Sequence, residues 1–363
     1  MLNFIINNKT NQMNGLSLFS NIGIGESFLH KNNINIKVAN EIIPKRCEIY
    51  KYLNPDSEII VGDIQNVDIF NKVIESAQNN KCDFIIATPP CQGMSVAGKR
   101  IKTDKRNSLI EYVVKSISIL NPKYALIENV PTLEKTYIKI DDKKIKITDY
   151  IKRSLKDYKI NIQVLNCAEY GIPQNRKRIF ILLSRKDVNE WKFNLSKEDK
   201  ITVKDVIEYL PSLESGQKSN IPYHYAINHN ENHILWMKHT PSAKTAFDNP
   251  IYYPNIAGRK IKAYRSSYRR INWNKPSPTI TTNSGFISSQ NKVHPGRPRE
   301  DGTYSDARCL TPLEIILLTG LDINWRLPDW VGDKLLREVI GESVPPKIIY
   351  ELTKVLKNVT WKN

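Results

Sequence analysis

The chain has 363 residues, enough for two folded domains each with a core of its own, one large and one smaller. Its 54 Lys+Arg against 37 Asp+Glu leave a formal charge of +17, which calls for a polyanionic partner, nucleic acid first. No apolar run approaches the ~18 residues of a membrane span, and the N-terminus lacks a charged-then-apolar leader, so a cytoplasmic protein with no membrane partner is expected.

Leu16-Ser17-Leu18-Phe19-Ser20 reads as a buried strand, and Asn21-Ile22-Gly23-Ile24-Gly25-Glu26 as a turn opening a helix. Glycines there let the backbone come close to an adenosyl group or a pyrophosphate, though a plain strand-to-helix turn has the same pattern. Phe28 stands where a dinucleotide fingerprint needs its third glycine, which disfavours a dehydrogenase. Strands at 34–39 and 58–61 end in Asn40-Glu41 and Gly62-Asp63-Ile64. The carboxyl ends of parallel strands face the ligand crevice, so Glu41 suits ribose hydroxyls and Asp63 an adenine amine; each is equally a candidate cap for the next helix.

A fourth strand at 84–87 runs into Thr88-Pro89-Pro90-Cys91-Gln92-Gly93. Two prolines fix the backbone as it leaves the strand, so the cysteine is presented and not packed. Lys99, Arg100, Lys102, Lys105 and Arg106 follow with a single Asp104, a basic setting that favours the thiolate over the thiol. Next come a helix with apolar residues at Ile110, Val113, Val114, Ile117 and Leu120, and a fifth strand at 124–127 that ends in Glu128-Asn129-Val130. A charged loop at 141–146, a helix over about 148–158 and a strand at 161–166 read as scaffold. Gly171-Ile172-Pro173-Gln174-Asn175-Arg176-Lys177-Arg178 then enters a strand at 179–183, and a period of two would aim Arg176 and Arg178 the same way. Repeated strand-helix units predict an α/β fold with a doubly wound, mostly parallel, Rossmann-like sheet.

Near Lys186 the alternation stops, and Pro, Asn, His and aromatic residues rise. The predicted domains are therefore 1–186, catalytic; 187–335, smaller and DNA-binding; and 336–363, a return to the first. His229 and His233 have i,i+4 spacing, but with no HExxH pattern or cysteine partner no metal site is expected, and the scattered cysteines Cys47, Cys82, Cys91, Cys167 and Cys309 imply no disulfide. From Arg259 to Arg299 there are ten Lys/Arg and no Asp or Glu, with Tyr264, Tyr268, Trp273 and Phe286 interleaved, a composition suited to a phosphate backbone. The expected DNA contacts are Ser95, Lys99, Arg100, Arg106, Arg259, Lys260, Arg265, Arg269 and Arg270.

A sulfur nucleophile, a strand-end carboxylate, paired arginines, an adenosine-type pocket and a basic second lobe suit methylation of cytosine at carbon 5. That carbon is not nucleophilic until a thiolate adds at C6 and N3 is protonated, whereupon the enamine can attack a methyl sulfonium. The chain resembles the DNA (cytosine-5) methyltransferase family through Phe19 to Gly25, Asn40-Glu41, Gly62-Asp63-Ile64, Pro89-Pro90-Cys91-Gln92, Asp104 to Leu109, Glu128-Asn129-Val130, Gln174 to Arg178, Lys275-Pro276-Ser277-Pro278-Thr279-Ile280 and Gly341 to Pro346, in the family's order. Asn21 stands where the family usually has the first glycine of its cofactor loop.

The resemblance implies S-adenosylmethionine as donor, with S-adenosylhomocysteine as product, held by Phe19, Asn21, Gly23, Glu41, Asp63, Ile64, Pro90, Leu109 and Ser343. It implies catalysis by Cys91, Gln92, Glu128, Arg176 and Arg178, and a target-recognition segment at about 187–270. The substrate expected is double-stranded DNA, in the setting of a restriction-modification system with a separately acting nuclease, and the enzyme is expected to be a monomer. A transfer-RNA cytosine-5 methyltransferase and a catalytically silent DNA-binding homologue are the alternatives. The basic stretch and large variable lobe favour duplex reading over the first, and the intact Cys91, Gln92, Glu128 and Arg178 speak against the second.

Overall fold

The structure is a computed structural model that describes residues 12–90, 109–140 and 143–357. The elements of its first half are β1 (Met13–Leu18), a 3-10 turn (Leu29–Asn32), β2 (Ile34–Glu41), α1 (Pro44–Leu53), β3 (Glu58–Val61), α2 (Val67–Asn79), β4 (Cys82–Ala87), α3 (Leu109–Leu120) and β5 (Tyr124–Asn129). The hairpin β6 (Tyr137–Ile140) and β7 (Lys143–Lys146) follows, then α4 (Ile147–Ser154), β8 (Tyr158–Asn166) and β9 (Lys177–Arg185). A seven-stranded sheet has the order β3-β2-β1-β4-β5-β9-β8. β1, β2, β3, β4 and β5 pair in parallel, and β9 runs antiparallel against β5.

This is the mostly parallel α/β sheet that the strand-helix alternation predicts. β5 is buried along its whole length, the mark of a strand covered on both faces. α3 buries Leu109, Ile110, Val113, Val114 and Ile117, one apolar stripe at helical spacing, against the sheet. Two expectations are corrected. No α-helix separates β1 from β2 among the described residues, because the loop after β1 turns through left-handed backbone at Phe19, Asn21 and Gly23 instead of starting a helix. Part of the charged stretch at 141–146 forms the second strand of the β6–β7 hairpin.

The chain divides into two compact units. The first comprises 1–165, 177–195 and 349–363; the second comprises 166–176 and 196–348. The first unit extends beyond the compositional change at Lys186 because Trp191 is buried against Phe84 and Tyr124 and donates its indole N–H to the Leu352 carbonyl at 2.8 Å.

The second unit contains α5 (Val203–Ile207), α6 (Glu231–Lys238), the two-stranded ribbon β10 (Asn255–Ile256) and β11 (Arg259–Lys260), α7 (Pro312–Leu318) and α8 (Asp333–Glu342). α9 (Pro346–Thr353) carries the chain back to the first unit. One apolar core of the second unit gathers Trp236, Met237, Phe247, Tyr268, Ile287 and Val293.

Beside that core lies a buried ionic cluster. Arg308 bonds Glu314 with both terminal nitrogens, at 2.8 and 2.9 Å, and Asp306 at 2.8 Å. Burial alone would raise the Glu314 carboxyl, but the Arg308 guanidinium outweighs it and brings the pKa down to about 2. Burial pushes the enclosed His294 down to about 3, so its ring is neutral at ordinary pH.

Candidate active site

The parallel strands β1 to β5 end at one edge of the sheet, and the turn in strand order lies between β1 and β4, the place where open α/β sheets form their ligand crevice. The loop after β1 lines that edge with unusual backbone: φ is 58° at Phe19 and 51° at Asn21, conformations that are costly for non-glycine residues and cluster at binding sites. Asparagine tolerates this region better than most side chains, which explains Asn21 at a position where glycine is usual. Gly23, at φ 82°, has a second constraint, since a methyl group there would come within 2.8 Å of Asn54 and 3.0 Å of Tyr50.

Glu41 ends β2 and is buried. Its Oε2 accepts the Asn21 N–H at 3.0 Å, and Oε1 accepts the N–H groups of Ile42 and Ile43 at 2.9 and 3.0 Å. The carboxylate thus holds the β1 loop to the start of α1 while keeping acceptor capacity for hydroxyl donors. Asp63, after β3, is exposed, and its Oδ1 accepts the Gln65 N–H at 2.9 Å. It does not cap α2, because Asn66 does, accepting from Asp68 and Ile69. Ile64 and Leu109 are buried in the sheet core. Glu41 and Asp63 are thus two carboxylates at the ends of neighbouring strands, β2 and β3, on the edge of the sheet that the β1 loop also lines.

Within the same loop, Glu26 is buried with the hydroxyl of Tyr50 bonded to its carboxylate. Burial lifts the Glu26 pKa to about 7, against the hydrogen bonds of Ser17 and Tyr50.

At the end of β4, the Thr88 N–H bonds the Leu18 carbonyl at 3.2 Å and its Oγ1 donates to the Phe19 carbonyl at 3.0 Å. The Pro89 carbonyl accepts from Asn129 Nδ2 at 2.9 Å. Pro90 is half-buried. Cys91 and Gln92, together with Ser95, Lys99, Arg100 and Arg106, lie outside the described residues.

Glu128, the last residue but one of β5, is 6% exposed, and because β9 is antiparallel its first residues arrive at the same edge. Arg178 Nε lies 2.9 Å from Glu128 Oε1. Arg176 does not share that place. It precedes β9, belongs to the second unit, is buried, and donates to the carbonyls of Ile280 at 3.1 Å, Gly341 at 3.2 Å and Glu342 at 3.0 Å. Through Arg176, residues of three motifs, Arg176 itself, Ile280 and the pair Gly341 and Glu342, are thereby tied together inside the second unit. Gly341 has no room for a side chain, since a methyl group would come within 2.4 Å of the Thr281 and Thr282 backbone. Ser343, also buried, turns its hydroxyl back to the Val339 carbonyl of α8.

The basic run is less free than its composition suggests. Arg270 is fully buried, and its guanidinium donates to the carbonyls of Met237, His294, Ser305 and Asp306, so the expectation that it contacts DNA is overturned. Arg269 is half-buried and donates to the Ala243 carbonyl at 2.8 Å, and Arg265 pairs with Asp248. Lys260 bonds the Phe247 carbonyl at 2.8 Å, whereas Arg259 stands exposed beside it on β11. Among the histidines, His229 precedes α6 and accepts the Cys309 N–H at 3.1 Å, so it does not share a helical face with His233. No group of three or more His, Cys, Asp or Glu able to hold a metal occurs among the described residues.

The family model for C-5 cytosine-specific DNA methylase matches residues 13–358. The chain belongs to that family. It is 48% identical over 351 residues, covering 95% of this chain and 98% of the relative, to Type II methyltransferase M1.HgaI of Avibacterium volantium. It is 29% identical over 347 residues, 94% of this chain and 86% of the relative, to Type II methyltransferase M1.HphI of Haemophilus parahaemolyticus. In fold it is similar to a DNA modification methyltransferase encoded within a prophage of E. coli, with a TM-score of 0.66 and 21% identity, covering 96% of this chain and 99% of that one. The protein is thus a DNA cytosine-5-methyltransferase of the Type II, restriction-modification kind, a class that uses S-adenosylmethionine and acts on DNA. No helix among the described residues is long and apolar enough to cross a membrane.

Asn129 and Thr88 are the site residues that sequence reasoning missed. Asn129 stands next to a candidate acid and Thr88 next to a Pro-Pro pair, but a hydrogen bond to a distant carbonyl leaves no mark in local sequence.

Proposed function

We propose that the enzyme methylates carbon 5 of a cytosine turned out of duplex DNA, through a covalent bond between Cys91 and C6. The observation that carries this reading is the Glu128–Arg178 pair at the sheet edge where β4 delivers the chain toward Cys91. Glu128 hydrogen-bonds N3 of the base, and Arg178 holds the carboxyl group in place beside it. The Cys91 thiolate bonds to C6 as Glu128 protonates N3, which makes C5 a nucleophile. Bound S-adenosylmethionine supplies an electrophilic methyl group on a sulfonium. Once C5 carries the methyl, its proton passes to water, the C6–S bond breaks to return the thiolate, and the N3 proton goes back to Glu128.

Phe19, Glu41, Asp63 and Ile64 would hold the donor, Glu41 accepting from ribose hydroxyls and Asp63 from the adenine amine. Residues 187–335 serve as the target-recognition region, with Arg259 and Lys260 on the β10–β11 ribbon among its phosphate contacts. The base must leave the stack to meet the sulfur, at a cost of a few kcal/mol that these contacts offset. We further propose that the enzyme works as a cytoplasmic monomer alongside a separate nuclease.

The test is a duplex carrying 5-fluorocytosine at the target. Fluorine cannot leave as the C5 proton does, so the enzyme should remain attached through denaturing electrophoresis when donor is present. Cys91→Ala should form no adduct and Glu128→Gln should form it slowly; adduct with Cys91→Ala would overturn the reading.

A further inference from the structure

We infer that Thr88 and Asn129 are positioning residues for the methyl-transfer reaction: together they hold the chain leading to Cys91 in register with the donor loop on one side and with the strand of the acid on the other.

The inference starts from what the sequence withholds. Pro89 and Pro90 have no N–H, so the two residues between Thr88 and Cys91 cannot donate a single backbone hydrogen bond. Register at the strand exit must come from carbonyl acceptors and from Thr88 itself. The structure shows both in use. Thr88 is engaged twice with the β1 strand and loop, through its N–H to Leu18 and its hydroxyl to the Phe19 carbonyl at 3.0 Å. Phe19 is the residue at φ 58°, so the hydroxyl of Thr88 also helps to hold a strained turn of the candidate donor loop. From the other side, Asn129 reaches the Pro89 carbonyl at 2.9 Å. Its own orientation is determined, because Oδ1 accepts the Val130 N–H at 2.9 Å and only the amide nitrogen is left to face a carbonyl. Asn129 is 4% exposed, so water cannot substitute for the lost donor without a cost. It directly follows Glu128, and the same strand end therefore sets both the acid and the start of the nucleophile's loop. A misplacement of about 1 Å in a reacting group can cost on the order of a hundredfold in rate.

This rests on Cys91 being the nucleophile, and the experiment separates the two. Full-length Thr88→Val, Thr88→Ser, Asn129→Asp and Cys91→Ala proteins are compared by thermal melting, by single-turnover methylation at saturating donor and DNA, and by trapping on the 5-fluorocytosine duplex. Valine keeps the shape of threonine without the hydroxyl, and aspartate keeps the acceptor for Val130 but turns an oxygen toward the Pro89 carbonyl. The expected result is a loss of about tenfold or more in single-turnover rate and in trapping for Thr88→Val and Asn129→Asp, with KM for DNA within about twofold of the parent and Thr88→Ser restored to near the parent rate. If Thr88→Val does not fold, the Thr88→Ser and Asn129→Asp rates decide. Folded Thr88→Val or Asn129→Asp protein that traps and methylates at the parent rate overturns the inference while leaving Cys91 in place. Trapping by Cys91→Ala instead removes the reading on which the inference stands.

Discussion

Arg178 and Glu128 meet because their strands run in opposite directions. The start of β9 lies beside the end of β5, with Asn129 opposite Ile179, so residues 50 apart in sequence form an ion pair of 2.9 Å. Glu128 thus has a fixed cation on the same rigid sheet, and neither group relies on a loop for its place.

The first prediction follows from that pair. Removing one partner leaves a mostly buried charge uncompensated, so Arg178→Ala and Glu128→Gln should each lower stability and cut the single-turnover rate about a hundredfold. A double-mutant cycle on denaturant midpoints should give a coupling of about 1 to 3 kcal/mol. Additive effects would show that the two groups do not depend on each other.

Salt dependence gives the second. With Arg270 buried and several neighbours bonded to carbonyls or carboxylates, about three phosphates are expected to be neutralised by this region, for a slope of log affinity against log salt near −3. Arg259→Ala should make that slope shallower by about one. Arg270→Met should leave its carbonyl partners without donors and lower the melting temperature instead. Equal slopes in parent and Arg259→Ala would take Arg259 out of the interface.

A third concerns Glu26. Its pKa is raised from 4.5 to about 7 in the folded protein, so the folded state binds more protons than the unfolded one across that interval. Stability contributed by this group is present below about pH 4.5 and is lost as pH rises toward 7. Glu26→Gln should therefore stabilise the protein by about 2 to 3 kcal/mol at pH 8 and by little at pH 5. A difference in melting temperature that does not change with pH would exclude ionisation of Glu26 as its cause.

The buried ionic cluster of the second unit has the opposite sign. The pKa of His294 lies near 3 and that of Glu314 near 2, both below their ordinary values of 6.5 and 4.5. These groups contribute stability at neutral pH that is lost as pH falls through the interval from 6.5 toward 2. Acid unfolding of the parent should be steep there, and His294→Gln, which cannot charge, should flatten it. An unchanged acid limb would show that His294 is not a source of the slope.

The sheet was legible because its strands are short apolar runs bounded by turn residues, as at Phe84 to Ala87, and because acids at their tips stand out. The candidate acid Glu128 could be found that way. Where reading failed, the cause was a local pattern decided by distant groups. Arg176 was assigned to the strand face by extending a period of two past Lys177, where β9 begins, and the carbonyls that bind it lie more than a hundred residues away. A run of like charges cannot tell Arg259, which is exposed, from Arg270, which four main-chain carbonyls surround. The helix expected after β1 failed because a strained loop and a helix start share the same small residues.

The first unit is assembled from three separated stretches, and the last of them has consequences for how the enzyme is made. Asn32 near the start of the sheet bonds Tyr350 and Thr353, and Trp191 bonds Leu352. A ribosome moving along the message has therefore to translate through the whole second unit before the first can close. Until about residue 353 has left the exit tunnel, the nascent chain lacks these partners, so methylating activity should appear late and abruptly during synthesis. In a cell that carries a matching nuclease, that delay would set how soon newly made transcripts turn into protection.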